Sequence, residues 1–442
     1  MSDSPSRPVS NLSVRSFGSR REGILESGIE APTNGGSSDA WGVRVRGHVL
    51  GTSGLAQSVE AVVPGRVLAS APAALATPEV AARHLNVPGA AACGFTLLVD
   101  TLALPREFEF RLRATFADGS RPKLATIRGA RRALSTDYTP RLQPLLVTSL
   151  GRMGTTLLMR ILAAHPSVVT YLRPPYETRA GKYWLHVLKT LAAPADASKR
   201  IGAPMEFHVE PLAVAGNPFY SAAFAAWPEV EAWSGSTYVE NLAAFSQQSI
   251  DGWYVATARA QGQDVSPLVY FAEKQFPDDF SRLWRELYPG AREIFLVRDF
   301  RDMVASMIAY NTRRAFGDFG REAAGSDTAW LAHLRRGVEA LRDAWRERGE
   351  PRSLVHYEAL VRDPAHAVPT LLSTLGLDSA PATVARLLVA AAPESAESRA
   401  HATSSSPDTS IGRWRMDLSP ELQGMTEEAF GDLLAEFGYE RS

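Results

Sequence analysis

The stretch LLVTSLGRMGTTLLMRILAAHP, from Leu145 to Pro166, decides the fold of this chain. An apolar run at its start predicts a buried strand, and a turn from Gly151 to Gly154 follows it. Thr155 and Thr156 then open an apolar helix. A strand, a glycine loop and a helix N-terminus together make an anion site, because loop N–H groups and the helix dipole converge on one point.

A second signature, REIFLVRDFRDMVASMI, runs from Arg292 to Ile308. Ile294 to Val297 predict another buried strand, whose carboxyl end delivers Arg298, and Ser306 follows after a helical stretch. Open α/β sheets bind ligands at the carboxyl ends of their strands. Two phosphate-binding elements at such ends predict a ligand that carries two separate phosphate groups.

The details of both signatures disfavour a phosphoryl-transfer kinase or nucleotide triphosphatase. Such a phosphate loop needs four residues between its glycines and then Gly-Lys-Ser/Thr. Only two residues separate Gly151 from Gly154, and no lysine follows. Asp299, at the end of an apolar strand, resembles the aspartate that binds magnesium in nucleotide triphosphatases. Arg298 beside it, however, favours direct contact with an anion.

Together the signatures resemble those of sulfotransferases that use 3′-phosphoadenosine 5′-phosphosulfate (PAPS) and release 3′-phosphoadenosine 5′-phosphate (PAP). GRMGTT resembles the 5′-phosphosulfate loop, and Arg298 and Ser306 have the spacing of the 3′-phosphate ligands. The arginine-type loop is most similar to the branch of tyrosylprotein and bacterial glycan sulfotransferases. The resemblance covers about residues 143 to 442. It implies an α/β fold with a P-loop-like, doubly wound parallel sheet.

The same resemblance implies a set of donor-binding residues. They are Gly151, Arg152, Met153, Gly154, Thr155, Thr156, Arg298, Ser306, Tyr357, Gly412, Arg413 and Trp414. Met153 replaces the usual serine, so that one hydroxyl near the sulfuryl group is missing. Tyr357 and Trp414 are expected beside the adenine, with core packing as the competing interpretation. No metal is required, because arginines neutralise the phosphates.

Three residues are predicted to carry the chemistry. Glu177 resembles the general base of this branch, although an ordinary ion pair with Arg179 is the alternative interpretation. His208 and His186 are rival bases. Arg152 supplies the cation for charge that develops in the transition state. Lys274 is expected to contact the bridging oxygen or the phosphosulfate.

Local composition and the alternation of apolar and polar residues divide this chain of 442 residues into several segments. Residues 1–40, rich in Ser, Gly, Pro and Arg, predict a disordered tail. Residues 41–135 alternate apolar and polar residues and predict a small antiparallel β-sandwich-like domain. Residues 136–143 are interpreted as a linker and residues 144–442 as the sulfotransferase domain. Cys93, the only cysteine, is expected to pack in the core.

The net charge and the search for targeting signals limit the classes of function that we expect for this chain. The net charge of −1 gives no global electrostatic reason to bind nucleic acid or an anionic membrane. Neither a signal peptide nor a membrane span is recognisable, which predicts a cytoplasmic protein. The expected acceptor is a hydroxyl of a bacterial glycan or glycolipid, with docking through the β domain. A phenolic, tyrosyl or other small-molecule acceptor stays open, as does a nucleotide-binding relative without catalysis.

Overall fold

The computed structural model describes most of the chain, and it contains two compact units. The described residues are 7–17, 23–52, 54–102, 104–173, 176–192, 229, 233, 237–278, 280–314, 319–349, 353–391, 403 and 406–440. The first unit consists of residues 1–138 and 184–247, and the second of residues 139–183 and 248–442. The break at residues 138 and 139 falls inside the predicted linker. Residues 184–247 belong to the first unit, whereas the sequence placed them in the sulfotransferase domain.

The first unit contains two antiparallel sheets, as the alternating patterns predict. The six-stranded sheet has the order β3-β1-β9-β8-β5-β6, and the three-stranded sheet the order β2-β4-β7. Their bounds are β1 Val9–Ser16, β2 Ile24–Ala31, β3 Gly36–Ser38, β4 Gly42–Gly51, β5 Ser58–Val63, β6 Arg66–Ala71, β7 Gly94–Asp100, β8 Glu107–Thr115 and β9 Lys123–Arg131. Phe110 of the larger sheet and Val45 and Phe95 of the smaller one share a buried cluster, so the two sheets pack face to face. A short helix, Pro78–Arg83, and buried Cys93 belong to a smaller cluster.

The prediction of a disordered tail is wrong for the described residues before 40. Three strands lie there, and Val9, Leu12 and Ile24 are buried. The strand β1 pairs with β9, a partner more than a hundred residues later in the chain. The composition of residues 1–40 does not reveal these strands, because most of the apolar residues in the cluster that they join belong to later strands.

The second unit is built on a five-stranded parallel sheet with the order β11-β12-β10-β13-β14. The strands are β10 Gln143–Thr148, β11 Val168–Val169, β12 Tyr270–Gln275, β13 Arg292–Val297 and β14 Ser353–His356. Side chains of β13 alternate between two buried clusters, with Ile294 and Leu296 in one and Phe295 and Val297 in the other. Helices contribute residues to both clusters, on opposite faces of the sheet, which confirms the doubly wound α/β fold.

The helices of the second unit include the two that the signatures predict, after β10 and after β13. They are Thr155–Ala163, Phe280–Leu287, Phe300–Arg314, Arg321–Ala324, Asp327–Arg348, Tyr357–Arg362, Pro364–Leu375, Pro381–Ala391, Trp414–Asp417 and Pro420–Glu436. Two more, Ala180–Ala192 and Val239–Ala260, contain residues of both units. The Ser419 side chain accepts the N–H of Leu422, as expected for a capping serine before a proline. Among the described helices, none is both long and apolar enough to cross a membrane.

Candidate active site

The glycine loop joins β10 to the helix Thr155–Ala163 and requires glycine at its last position. Gly154 has a φ of 91°, in the left-handed region, and forms the N-cap of that helix. A Cβ at this position would also overlap the ring of Tyr357. Arg152 has a positive φ of 65°, which is uncommon for a residue with a side chain. The loop is therefore held in a specific conformation that an added side chain at Gly154 would disturb.

Met153 does not present its side chain to the open face of this loop. It is fully buried and packs in the cluster that contains Phe295 and Val297. The family resemblance implies that this position lacks a hydroxyl beside the sulfuryl group. In the structure, the thioether instead fills the hydrophobic core, so Met153 offers a ligand only its backbone.

The side chain of Arg152 meets the second signature. Its Nε donates to the Oγ of Ser306 at 3.1 Å, and its guanidinium lies 4.6 Å from the ring centre of Tyr310. Burial, together with the charges of Arg298 and Arg413, lowers the pKa of Arg152 to about 10. Arg152 therefore stays charged at neutral pH and belongs to a group of mutually repelling cations. We call Arg152, Arg298 and Arg413 the arginine cluster.

Arg298 stands at the carboxyl end of β13, and only 4% of it is exposed. It donates to the carbonyl oxygen of Arg152 at 3.2 Å and to that of Ser410, and its guanidinium lies 4.9 Å from the ring centre of Tyr357. Its Nε is buried and has no hydrogen-bond partner within the described residues. This buried donor is therefore available to an acceptor that enters the site.

Residues near the C-terminus complete this side of the site. The Oγ1 of Thr403 accepts from Arg413 at 2.8 Å and lies 3.1 Å from the Oγ of Ser306 and 3.4 Å from an Arg152 nitrogen. The hydroxyl of Tyr357 lies 2.9 Å from that of Ser410. Sequence reasoning missed Thr403 and Ser410, because no motif marks them before the chain folds.

Asp302 fixes the backbone of the predicted donor-binding residues Gly412 and Trp414. One carboxylate oxygen accepts the N–H of Gly412 at 2.7 Å and the other accepts that of Trp414 at 3.0 Å. Burial raises the pKa of Asp302 to about 6, against the opposing effect of Arg298. The repeated acidic residue in RDFRD was the available signal for this contact, and sequence reasoning did not use it.

Trp414 is placed in the hydrophobic core by the structure. It is 4% exposed and packs in the cluster of Phe300 and Phe430. Arg301 and Arg415 lie 4.3 and 4.4 Å from its ring centre. The competing interpretation of the sequence, core packing, describes this geometry, whereas Tyr357 lies against the arginine cluster.

The predicted base and the predicted lysine meet on the other side of the glycine loop. Lys274, at 7% side-chain exposure, places its Nζ 3.6 Å from the Oε2 of Glu177 and donates to the Oγ1 of Thr156 at 3.4 Å. Arg179 forms an ion pair with the other carboxylate oxygen of Glu177. Burial lowers the pKa of Lys274, although the charge of Glu177 opposes this shift. We call residues 177–179 the base turn.

The remaining candidates lie elsewhere or have other partners. His186 is exposed on the helix Ala180–Ala192 and belongs to the first unit, while His208 lies outside the described residues. Asp299 forms an ion pair with Arg301 at 2.8 Å. In the described part of the chain, no group of three or more His, Cys, Asp or Glu side chains is arranged to hold a metal ion.

Comparison with known proteins identifies the class. The model of the sulfotransferase family matches residues 144–381, more than half of the chain, and the chain belongs to this family. This confirms the family resemblance found in the sequence. No curated protein matches the chain significantly.

Several solved structures resemble the chain at low identity. The sulfotransferase domain from the curacin biosynthetic pathway is 14% identical, with a TM-score of 0.37, over 68% of this chain and 100% of that one. Sulfotransferase STF9 from Mycobacterium avium is 18% identical, with a TM-score of 0.34, over 68% and 78%. A mouse sulfotransferase complexed with PAP is 10% identical, with a TM-score of 0.34, over 66% and 84%.

Proposed function

We propose that this sulfotransferase transfers the sulfuryl group of PAPS to an acceptor hydroxyl and releases PAP. The observation that carries the proposal is the buried Nε of Arg298, which has no acceptor in the described structure. Arg152 and Arg413 bring further positive charge to the same place. Burying cations is costly unless an anion compensates them. A 3′-phosphate on Arg298 and Ser306 supplies that compensation.

The glycine loop accounts for the second phosphate group. The N–H groups of Gly154, Thr155 and Thr156 open a helix of nine residues, whose N-terminus favours negative charge. Their backbone, with the two threonine hydroxyls, binds the 5′-phosphosulfate in this proposal. Lys274 contacts Thr156 and brings a cation to the same group.

The chemical step is an in-line transfer. The acceptor oxygen forms a bond to sulfur while the bond from sulfur to the bridging oxygen breaks, and the electron pair of that bond stays on PAP. Glu177 takes the proton of the acceptor hydroxyl, and Lys274 stabilises the charge that grows on the bridging oxygen. Arg152, which lies beside Ser306, serves mainly the nucleotide phosphates and adds its charge to the transition state.

We propose a hydroxyl of a glycan or glycolipid as the acceptor, and the cytoplasm, where PAPS is made, as the compartment. The alternating pattern of residues 41–135 favours this choice, because it resembles that of small β domains attached to bacterial surface-glycan enzymes. A phenolic acceptor is the second candidate. Phe276 favours it, since this ring is 42% exposed and lies 4.8 Å from the guanidinium of Arg179 in the base turn.

Calorimetry with PAP and AMP tests the donor assignment, because the two nucleotides differ in the 3′-phosphate. Arg298→Ala should weaken PAP binding about tenfold to a hundredfold, the value of a charge-assisted hydrogen bond, and change AMP binding little. Arg335→Ala is the matched control, because Arg335 forms a surface ion pair with Asp432. Equal losses for both nucleotides, or a wild-type preference for ATP, would exclude the assignment.

Release of PAP from PAPS, measured by chromatography with glycan and phenolic acceptors, tests the reaction itself. Turnover with a glycan alone supports the first acceptor, and turnover with a phenol alone supports the second. Tight PAP binding without release of PAP in the presence of any acceptor would indicate a nucleotide-binding relative that lacks catalysis.

A further inference from the structure

Glu273 and Lys274 are neighbours in β12 and approach the base turn from two directions. Consecutive residues of a strand point to opposite faces of the sheet. Lys274 reaches the carboxylate of Glu177, whereas Glu273, which is 3% exposed, receives hydrogen bonds from the backbone that follows the base turn. Its Oε1 accepts the N–H of Gly181 at 2.5 Å, and its Oε2 accepts that of Lys182 at 3.2 Å.

These two N–H groups belong to the first turn of the helix Ala180–Ala192. N–H groups in a first helical turn have no partner within the helix, and a carboxylate there also interacts favourably with the helix dipole. Gly181 allows the close approach, because a Cβ there would lie 2.5 Å from Trp284 and 3.1 Å from the Oε1 of Glu273. The start of this helix is therefore fixed against β12.

Tyr254 connects the same carboxylate to the base turn. It is 1% exposed, and its ring stacks on Phe271 with centroids 4.4 Å apart. Its hydroxyl donates to Glu273, and the side chain of Thr178 interacts with the same hydroxyl and lowers its pKa against the effect of burial. Thr178 is the central residue of the base turn, so this network reaches the turn itself as well as the helix behind it.

We propose that Glu273 is a positioning residue, which fixes the base turn so that the carboxylate of Glu177 stays beside Lys274. The inference rests on the proposed function, because it takes Glu177 as the base. A buried carboxylate is costly unless it is fully hydrogen-bonded, and Glu273 has three donors. Burial raises its pKa, and the hydrogen bonds from these three donors oppose that shift.

Glu273→Gln tests the role without a change in size. The amide retains one acceptor oxygen but places an NH₂ group where an oxygen accepted before, so the base turn loses one of its attachments. We expect kcat to fall about tenfold to a hundredfold, as for a small misplacement of a catalytic group, with KM for the donor and Kd for PAP unchanged. Hydrogen exchange at Gly181 and Lys182 should become faster.

Glu293→Gln is the matched control. Glu293 is also 3% exposed and lies on the neighbouring strand β13, where Thr148 donates to it at 2.5 Å and Gln275 at 3.2 Å. The same substitution removes the same charge from an equally buried site. It should lower the free energy of unfolding to a similar extent and leave kcat nearly unchanged. An equal loss of kcat in both variants would overturn the positioning role.

A double variant separates positioning from general stability. If Glu273 acts through Glu177, then Glu273→Gln should cost little further turnover in a Glu177→Gln background. Full additivity of the two losses would overturn the inference.

Should Glu273→Gln not fold, Tyr254→Phe removes one donor to the carboxylate and should produce a smaller loss of kcat, again without loss of PAP affinity. An unchanged kcat in that variant would overturn the inference as well.

These outcomes distinguish the inference from the function on which it rests. A wild-type chain that releases no PAP from PAPS refutes the proposed function, and the inference falls with it. An active wild type with an impaired Glu177→Gln and a fully active Glu273→Gln refutes the inference alone.

Discussion

The arginine cluster and the base turn both contain a guanidinium group, but the two groups lie in opposite electrostatic settings. In the arginine cluster, Arg298 donates to carbonyl oxygens and lies against a tyrosine ring. In the base turn, Arg179 and Lys274 both face the carboxylate of Glu177. The first setting leaves positive charge for an incoming anion, and the second already contains its anion. In the proposed reaction, this difference separates binding of the donor from removal of a proton, and the glycine loop contacts the two regions through Arg152 and Thr156.

The largest effect is expected from the base turn. Glu177→Gln retains the size and hydrogen-bonding reach of the side chain but removes its basicity. Turnover should fall by about 10² or more, the usual contribution of a general base, while PAP affinity stays nearly unchanged. Steady-state kinetics and calorimetry on the same preparation measure the two quantities. Turnover within a few-fold of wild type would break the comparison and move the base to His186 or His208.

Arg152→Ala should act on binding and on turnover together. Its guanidinium contacts Ser306, Thr403 and the ring of Tyr310, so its loss removes a charge-assisted donor from the nucleotide side. We expect PAP to bind about tenfold to a hundredfold more weakly, and kcat to fall as well because the transition state gains negative charge. Calorimetry and PAP release measure the two losses. A variant with normal affinity and reduced kcat would place Arg152 with the base turn instead.

Lys274 predicts a loss of turnover at alkaline pH. Burial lowers its pKa below the ordinary lysine value of about 10.4, and the side chain stabilises the leaving oxygen only while it is charged. Turnover should therefore be maintained below that lowered pKa and lost as the pH rises through it. In Lys274→Arg the charge persists to higher pH, so the alkaline loss should shift upward. An identical alkaline profile in both proteins would contradict the assignment.

Local sequence predicted the parts of the site that depend on short spacing. The glycine loop, Arg298 and Ser306 follow directly from strands and helix starts, and the structure places them together through Arg152. Thr403 and Ser410 escaped prediction, because their contacts to these residues depend on how the chain returns after about a hundred further residues. The strand β1 escaped for the same reason, since its partner β9 is distant in sequence. Non-local closure, rather than local propensity, limited the prediction.

Met153 gives the smallest expected effect on the site and tests its inner boundary. Restoring the family residue by Met153→Ser should leave PAP affinity and kcat nearly unchanged, because the side chain is fully buried among Phe295, Val297 and their neighbours. The variant should instead lose about 2–5 kcal/mol of unfolding free energy, as for truncation of a buried methionine, measurable by urea unfolding. Met159→Ser, at an equally buried position of the helix Thr155–Ala163, controls for that loss. A clear gain of turnover in Met153→Ser would contradict this expectation. It would show that the side chain at this position reaches the sulfuryl group and donates a hydrogen bond between the arginine cluster and the base turn.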